Sequence, residues 1–179
     1  MKENTPKNRM IKQKFNKEVP EGDNRERTVC DNCGMIFYEN PKVVAGCLLV
    51  WKDKILLCKR ATEPRAGYWT LPAGFLENQE SIEEGALRET EEEAKLRVSN
   101  VKLFTVLSVP HIDQIYTFFT GKVVNYDFGP TPESSEVKLF KYDDIPWDEL
   151  AFPTVIKTIK LFLEHGDDKI INEVLRPKI

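Results

Sequence analysis

The residues from Glu80 to Glu93 constrain this chain more than any others, since they pack seven carboxylates and one arginine into a stretch whose pattern predicts a helix. Ser81 followed by Glu84 is a capping box, and Ile82, Ala86 and Leu87 supply apolar positions at helical spacing. At 3.6 residues per turn, Glu89, Glu92 and Glu93 fall within an arc of about 100°. Each like-charged pair three or four residues apart costs roughly a few tenths of a kcal/mol. A bound divalent cation reverses that penalty, and hard oxygen ligands without a nearby histidine favour Mg2+ or Mn2+. For an isolated Glu-x-x-Glu-Glu, an acidic solvated face is the plain alternative.

The spacing around the helix adds a second constraint. Gly74, five residues, Glu80, seven residues, Arg88-Glu89 and then Glu92-Glu93 resembles the signature of the Nudix hydrolases, with every charged position filled. Two positions depart from it. Lys95 stands where the family has glycine, and Thr90 where it has an aliphatic residue; neither is a metal ligand. Without the glycine the helix loses its easy left-handed stop, so Lys95 must adopt that backbone or the helix must end differently.

The resemblance implies an α/β fold, a Nudix-type α/β/α sandwich with a mixed central sheet, here carrying a short N-terminal ribbon-like extension. It also implies a metal-dependent pyrophosphohydrolase that cleaves a nucleoside diphosphate linked to another group. Carried over by position, Glu89 and Glu93 are metal ligands, the carbonyl of Gly74 is a further contact, and Glu92 is ligand or base. Glu80 pairs with Arg88 to orient them, and Glu77 takes an outer-sphere or substrate-side part. Family enzymes commonly bring one more glutamate from the loop before a late strand, a place open here to Glu136 or Glu133.

Elsewhere the chain sets bounds. With 179 residues, 41 % of them hydrophobic, it can bury one full core. The net charge of −3 gives no general pull toward nucleic acid. No apolar run approaches the roughly eighteen residues of a membrane span, and the polar start lacks the apolar centre of a signal peptide, so a soluble, cytoplasmic protein is expected. Cys47 and Cys58 sit in apolar strand-like runs as reduced, buried thiols.

The expected organisation is a mobile tail and partial ribbon over 1–40, the catalytic domain over 41–170 and a C-terminal tail over 171–179. Residues up to about Thr28 are lysine-rich and polar, which predicts mobility. Cys30-Asp-Asn-Cys33-Gly34 looks like one knuckle of a zinc ribbon, yet a structural zinc takes four ligands and only half a site is here. Structural Zn2+ is therefore not expected within one chain; a homodimer sharing one ion between two such pairs stays open. Val43 to Trp51 and Ile55 to Lys59 read as core strands, as do Val98 to Val109 and Gln114 to Val124. A closing helix has Pro153 in its first turn and Val155, Ile156, Ile159, Phe162 and Leu163 on one stripe.

The loop from Arg60 to Trp69 mixes cations, glycine, proline and aromatics, and Arg60 and Arg65 can each meet a phosphate or serve as ion-pair partners. His111 lies in a connection that borders the substrate cleft in sequences this one resembles. The run from Leu56 to Phe75 and the later Ser-Val-Pro-His-Ile resemble bacterial and plastid Nudix proteins associated with ADP-ribose and FAD. That resemblance implies a small-molecule nucleotide substrate of ADP-ribose, FAD or NADH type that releases AMP, with Tyr68, Trp69, Phe75 or Tyr116 stacking on a ring. A nucleoside-triphosphate pyrophosphatase and a non-catalytic ligand- or nucleic-acid-binding module are the competing readings. Neither nucleic acid nor membrane is expected as a partner.

Overall fold

The computed structural model describes residues 14–124 and 127–177 of the chain, which divides into two compact units at Asn40/Pro41.

The first unit is a three-stranded antiparallel sheet of β1 (Phe15–Glu18), β2 (Arg27–Cys30) and β3 (Ile36–Phe37). Of the mobile start expected from composition, residues 1–13 lie outside the described residues, whereas residues 15–18 and 27–30 are strands. Local contacts overrule the polar composition here. Asp23 closes the turn by accepting from the Asn24 backbone and pairing with Arg27 at 2.8 Å, and Phe15 packs edge-on against Phe37 at 5.3 Å. The knuckle is formed: Cys30 N–H donates to Met35 O, and Gly34, at φ +70°, donates back to Cys30 O. N–H groups of Asn32 and Cys33 lower the pKa of the Cys30 thiol. Those two thiols are half of a tetrahedral zinc set, and residues 14–40 hold no other Cys or His, so this unit by itself does not fit a structural zinc.

The second unit is built on an eight-stranded mixed sheet. Its strands are β4 (Lys42–Trp51), β5 (Lys54–Arg60), β6 (Trp69–Thr70), β7 (Ala73–Phe75), β8 (Val98–Val109), β9 (Gln114–Val123), β10 (Ser134–Lys141) and β11 (Ile171–Val174). The main order is β10-β5-β4-β9-β8-β11, with β4 parallel to β9 and β11 parallel to β8. Residues 171–174, expected to be tail, are thus an edge strand, because their backbone finds the free side of β8.

Alternation along β4 and β5 sends side chains to two helices. Leu48, Ile55 and Leu57 join Val155 and Ile159 of α2 (Pro153–His165), while Ala45, Cys47, Leu49, Leu56 and Cys58 join Ala86 and Ala94 of α1 (Ile82–Ala94). Helix α2 has its expected proline start, but Leu161 rather than Leu163 reaches the interior; Leu163 is exposed. Helix α1 begins with the Ser81/Glu84 capping box, and Lys95 does adopt the left-handed conformation, φ +59°, with its N–H bonded to Glu91 O.

The sheet splits beside α1. Strands β4 and β5 pair only at Val50↔Ile55 and Trp51↔Lys54; farther along, β5 takes β6 and β4 takes β7. Gly46 is required in β4 at this point, since a Cβ there would overlap Ala73 and Pro72. Side chains of α1 can consequently border a cleft whose other walls come from the α2 face of the sheet. No described helix is long and apolar enough to cross a membrane.

Candidate active site

The split opens into a cleft of about 610 Å³. At its base lie two carboxylates that the chain buries at a cost: Glu89 is 8 % exposed and Glu93 is 5 % exposed. Both belong to the buried face of α1, which continues through Thr90 and Ala94. Glu93 Oε2 accepts from the Ala73 backbone N–H at 3.0 Å. Burial is the chief cause that pushes Glu93 up to about 8; the Ala73 N–H opposes it, and the charge on Glu89 adds to it. Burial also raises Glu89, against the pull of Arg88.

Arg88 holds the loop to the helix. Its Nε and Nη2 donate to the two oxygens of Glu80 at 3.0 and 2.8 Å, its Nη1 donates to Glu89 at 2.7 Å, and Nη2 also reaches the Phe75 carbonyl at 3.1 Å. The forked guanidinium is suited to this, since a single ammonium cannot span four acceptors in one plane. Arg88 holds the Glu80 carboxyl down at about 2, helped by the Glu77 N–H. Glycine at 74 is a matter of space: a Cβ there would overlap the Glu89 carboxylate.

The two buried carboxylates suit a divalent cation. Their oxygens are hard donors, burial raises the proton affinity of both, and the backbone of Gly74 passes close to the Glu89 carboxylate. Among the described residues no three His, Cys, Asp or Glu side chains come together to hold a metal ion. An open site that leaves positions for water and ligand is the form such a pair fits.

Several residues singled out in the sequence meet at the cleft: Gly74, Phe75, Glu77, Glu89, Glu93 and Arg60 line it, and so do Glu133 and Tyr116. Arg60 is held by a bond from Nε to Pro64 O at 2.8 Å and lies over the Phe152 ring. Others are placed elsewhere. Glu92 is on the exposed side of α1, paired with Arg88 at 3.0 Å and outside the cleft lining. Glu136 is exposed on β10 opposite Lys59, while Glu133, anchored through its carbonyl to Ala61 N–H, faces the carboxylates and raises both. A bulge between Ser134 and Glu136 separates their paths.

Trp69 is 5 % exposed and packs edge-on against Phe140 in the core, so it is not a ligand-stacking ring. Arg65 lies over Tyr68 instead of reaching the cleft, and neither residue is part of its lining. His111 is exposed in the 3-10 turn Pro110–Ile112, and it is the neighbouring Ile112 that lines the cleft. Gln114, Val44 and Phe152 escaped the sequence reading. The signal that could have found the first two is period-two alternation: Val44 on β4 and Gln114, Tyr116 and Phe118 on β9 share the face occupied by Ala73 and Phe75 on β7.

Comparison with known proteins agrees with this geometry. Residues 40–162 match the NUDIX domain family, and residues 12–39 match the Nudix N-terminal zinc-ribbon family. A crystal structure of a NUDIX hydrolase from Nitrosomonas europaea is 44 % identical, covers 91 % of this chain and 94 % of its own, and superposes with a TM-score of 0.85. An NAD-capped RNA hydrolase of Shigella flexneri is 31 % identical over 121 residues, which are 66 % of this chain; the match spans 46 % of that relative's length. An ADP-ribose pyrophosphatase from Streptococcus suis shares the fold at 21 % identity, over 76 % of this chain and all of its own, with a TM-score of 0.59.

Proposed function

Because the chain belongs to the NUDIX family of hydrolases, we propose that it hydrolyses the diphosphate of an adenosine diphosphate joined to a second group, releasing AMP, in the cleft bounded by Glu89, Glu93 and Glu133. The observation that carries this reading is the pair of buried carboxylates beside a cleft large enough for a nucleotide. Two buried carboxylates, of which only Glu89 is paired with an arginine, repel a diphosphate, so they are useful to it only with cations between them. Glu89 and Glu93 with the Gly74 carbonyl would hold a divalent cation, which when bound neutralises the diphosphate and lowers the pKa of water.

The chain's own residues then divide the remaining work. Arg60, at the cleft wall and fixed by Pro64 and Phe152, meets a phosphate oxygen. Arg88 and Glu80 fix the direction of Glu89, as a ligand's outer partners do. Of Glu136 and Glu133, the two residues to which the resemblance left this part open, Glu133 takes it and receives the proton of the attacking water, since it alone of the two lines the cleft with the carboxylates. Water adds across one P–O–P bond, so AMP leaves on one side and the second phosphate on the other.

Two relatives support the substrate class: one is named for NAD-capped RNA and another for ADP-ribose, and both compounds contain an adenosine diphosphate linkage. The test is to incubate the protein with ADP-ribose, FAD, NADH, diadenosine polyphosphates and nucleoside triphosphates, with Mg2+ or Mn2+, and identify products by chromatography. AMP from the ADP-linked compounds is the expected result. Attack confined to nucleoside triphosphates, with pyrophosphate released, would overturn it.

A further inference from the structure

The cysteines of the first unit have no part in the hydrolytic site, and their surroundings suit a chemistry of their own. The Gly34 N–H donates to Cys30 O at 2.9 Å, so Asp31, Asn32 and Cys33 form a single helix-like turn closed from residue 30 to residue 34. Cα atoms three residues apart in such a turn stand about 5 Å from each other, inside the span of roughly 4.4–6.8 Å that a disulfide bridges. The side chains do meet: the Cys33 thiol hydrogen-bonds to the Cys30 sulfur, which also accepts from the backbone N–H groups of Asn32 and Cys33. Cys33 is exposed, whereas Cys30 is 4 % exposed. The other two thiols are closed to reagents. Cys47 and Cys58 lie in the core, donate to the carbonyls of Ala86 and Glu93, and are pushed up by burial, Cys47 to about 11.

The first unit also lacks a core of its own. Among residues 14–40 only Val29 and Cys30 are buried, while Phe15, Val19, Met35, Phe37 and Tyr38 are exposed. A unit below about 40 residues usually needs a disulfide, a metal or a partner to hold it. Two thiols are too few for a structural zinc, but they are enough for a disulfide.

We propose that Cys30 and Cys33 form a reversible oxidation site, a dithiol that low-molecular-weight disulfides convert to an internal disulfide. The exposed Cys33, as thiolate, attacks one sulfur of the reagent; the reagent's S–S bond breaks, one thiolate leaves, and the other half stays bonded to Cys33. Cys30, as thiolate, then attacks the Cys33 sulfur and expels that half as the second thiolate. Both cysteines are oxidised, the reagent is reduced to two thiols, and these take up the two protons that the cysteines gave. Cys30 is placed for the second step, because the N–H groups of Asn32 and Cys33 hold its sulfur beside that of Cys33. Closing this short loop makes opening of the unit rarer by on the order of tenfold. The inference is independent of the hydrolase reading.

The experiment uses the full chain, assayed for zinc as purified and then treated with chelator. It is equilibrated in glutathione buffers of graded oxidised-to-reduced ratio, quenched by alkylation and read by peptide mass spectrometry. Tryptic cleavage at Lys14, Lys17, Arg25 and Arg27 is timed on the same samples before the quench. A Cys30–Cys33 link is expected, with Cys47 and Cys58 left as thiols. In the linked form cleavage at those four sites should slow by about tenfold, and dithiothreitol should restore it. Cys33→Ser should form no link, and Cys30→Ser should stop with one glutathione on Cys33. The first of these variants changes an exposed side chain, so the test stands even if Cys30→Ser does not fold. Thiols that stay reduced where oxidised glutathione predominates would overturn the proposal, as would a link to Cys47, Cys58 or a second chain. So would cleavage that ignores the link, or zinc bound to the pair before chelation.

Discussion

Replacing Glu93 by glutamine should make the metal-free protein more stable at neutral pH while abolishing most of its turnover. The carboxyl titrates near 4.5 in an ordinary setting and is pushed up to about 8 here. A group raised in this way stabilises the fold fully below its unfolded pKa, and that contribution is lost as pH climbs toward and through the folded value. Each tenfold change in proton affinity is worth about 1.36 kcal/mol. Between pH 5 and pH 7.5 the wild type should therefore lose roughly 3 kcal/mol that the glutamine variant keeps. For a chain of this length that gap is roughly 6–12 °C in Tm. Glutamine can still accept the Ala73 N–H bond that Glu93 accepts at 3.0 Å, so the native packing has no reason to change. The assay is thermal unfolding by circular dichroism of both proteins in chelator across that pH range, repeated with Mg2+. Wild type should recover stability when Mg2+ is added, and the variant much less. Parallel pH profiles for the two proteins, or near-normal turnover of Glu93→Gln at saturating Mg2+, would refute the reasoning.

Three further outcomes are expected. Glu133→Gln should lower turnover on the best substrate by on the order of a hundredfold, with Glu136→Gln within a few-fold of wild type, and steady-state kinetics showing the opposite order would return the base to β10. Gly74→Ala should keep the circular dichroism spectrum but cost at least about tenfold in Mg2+-dependent activity, the scale seen when a ligand's support is lost, because the new Cβ overlaps the Glu89 carboxylate. Elemental analysis of the purified monomer should find no stoichiometric zinc, since Cys30 and Cys33 are two of four ligands; one zinc per chain would contradict this, and half an ion per chain in a dimer would mean a site shared by two copies.

Much of the machinery was legible along the chain because it is local. The capping box, the helix and the bond between Glu80 and Arg88 involve residues no more than eight apart, and their spacing alone puts them together. Strands β4 and β5 declared themselves by apolar runs joined by the short polar segment Lys52-Asp53-Lys54, of which Lys54 proves to open β5. What period and spacing could not provide was the direction of side chains relative to elements far away in sequence. Three glutamates sharing an arc of α1 look equivalent, yet Glu89 and Glu93 turn under the loop while Glu92 stays in solvent with Arg88, a choice made by where β7 docks. Trp69 reads as a loop aromatic and is a core residue because β6 inserts beside β5. Glu133 and Glu136 are three positions apart, yet Glu133 precedes β10 and lines the cleft while Glu136, past a bulge in the strand, stays outside it. The sequence by itself thus determined the acidic helix, its ordering arginine and the class of chemistry, all of them short-range patterns. Only the tertiary structure decided which carboxylates share a cleft and which aromatics line it, since β6 and β7 insert where β4 and β5 part and the parallel pairing of β4 with β9 joins segments about seventy residues apart, through backbone hydrogen bonds that no local pattern encodes.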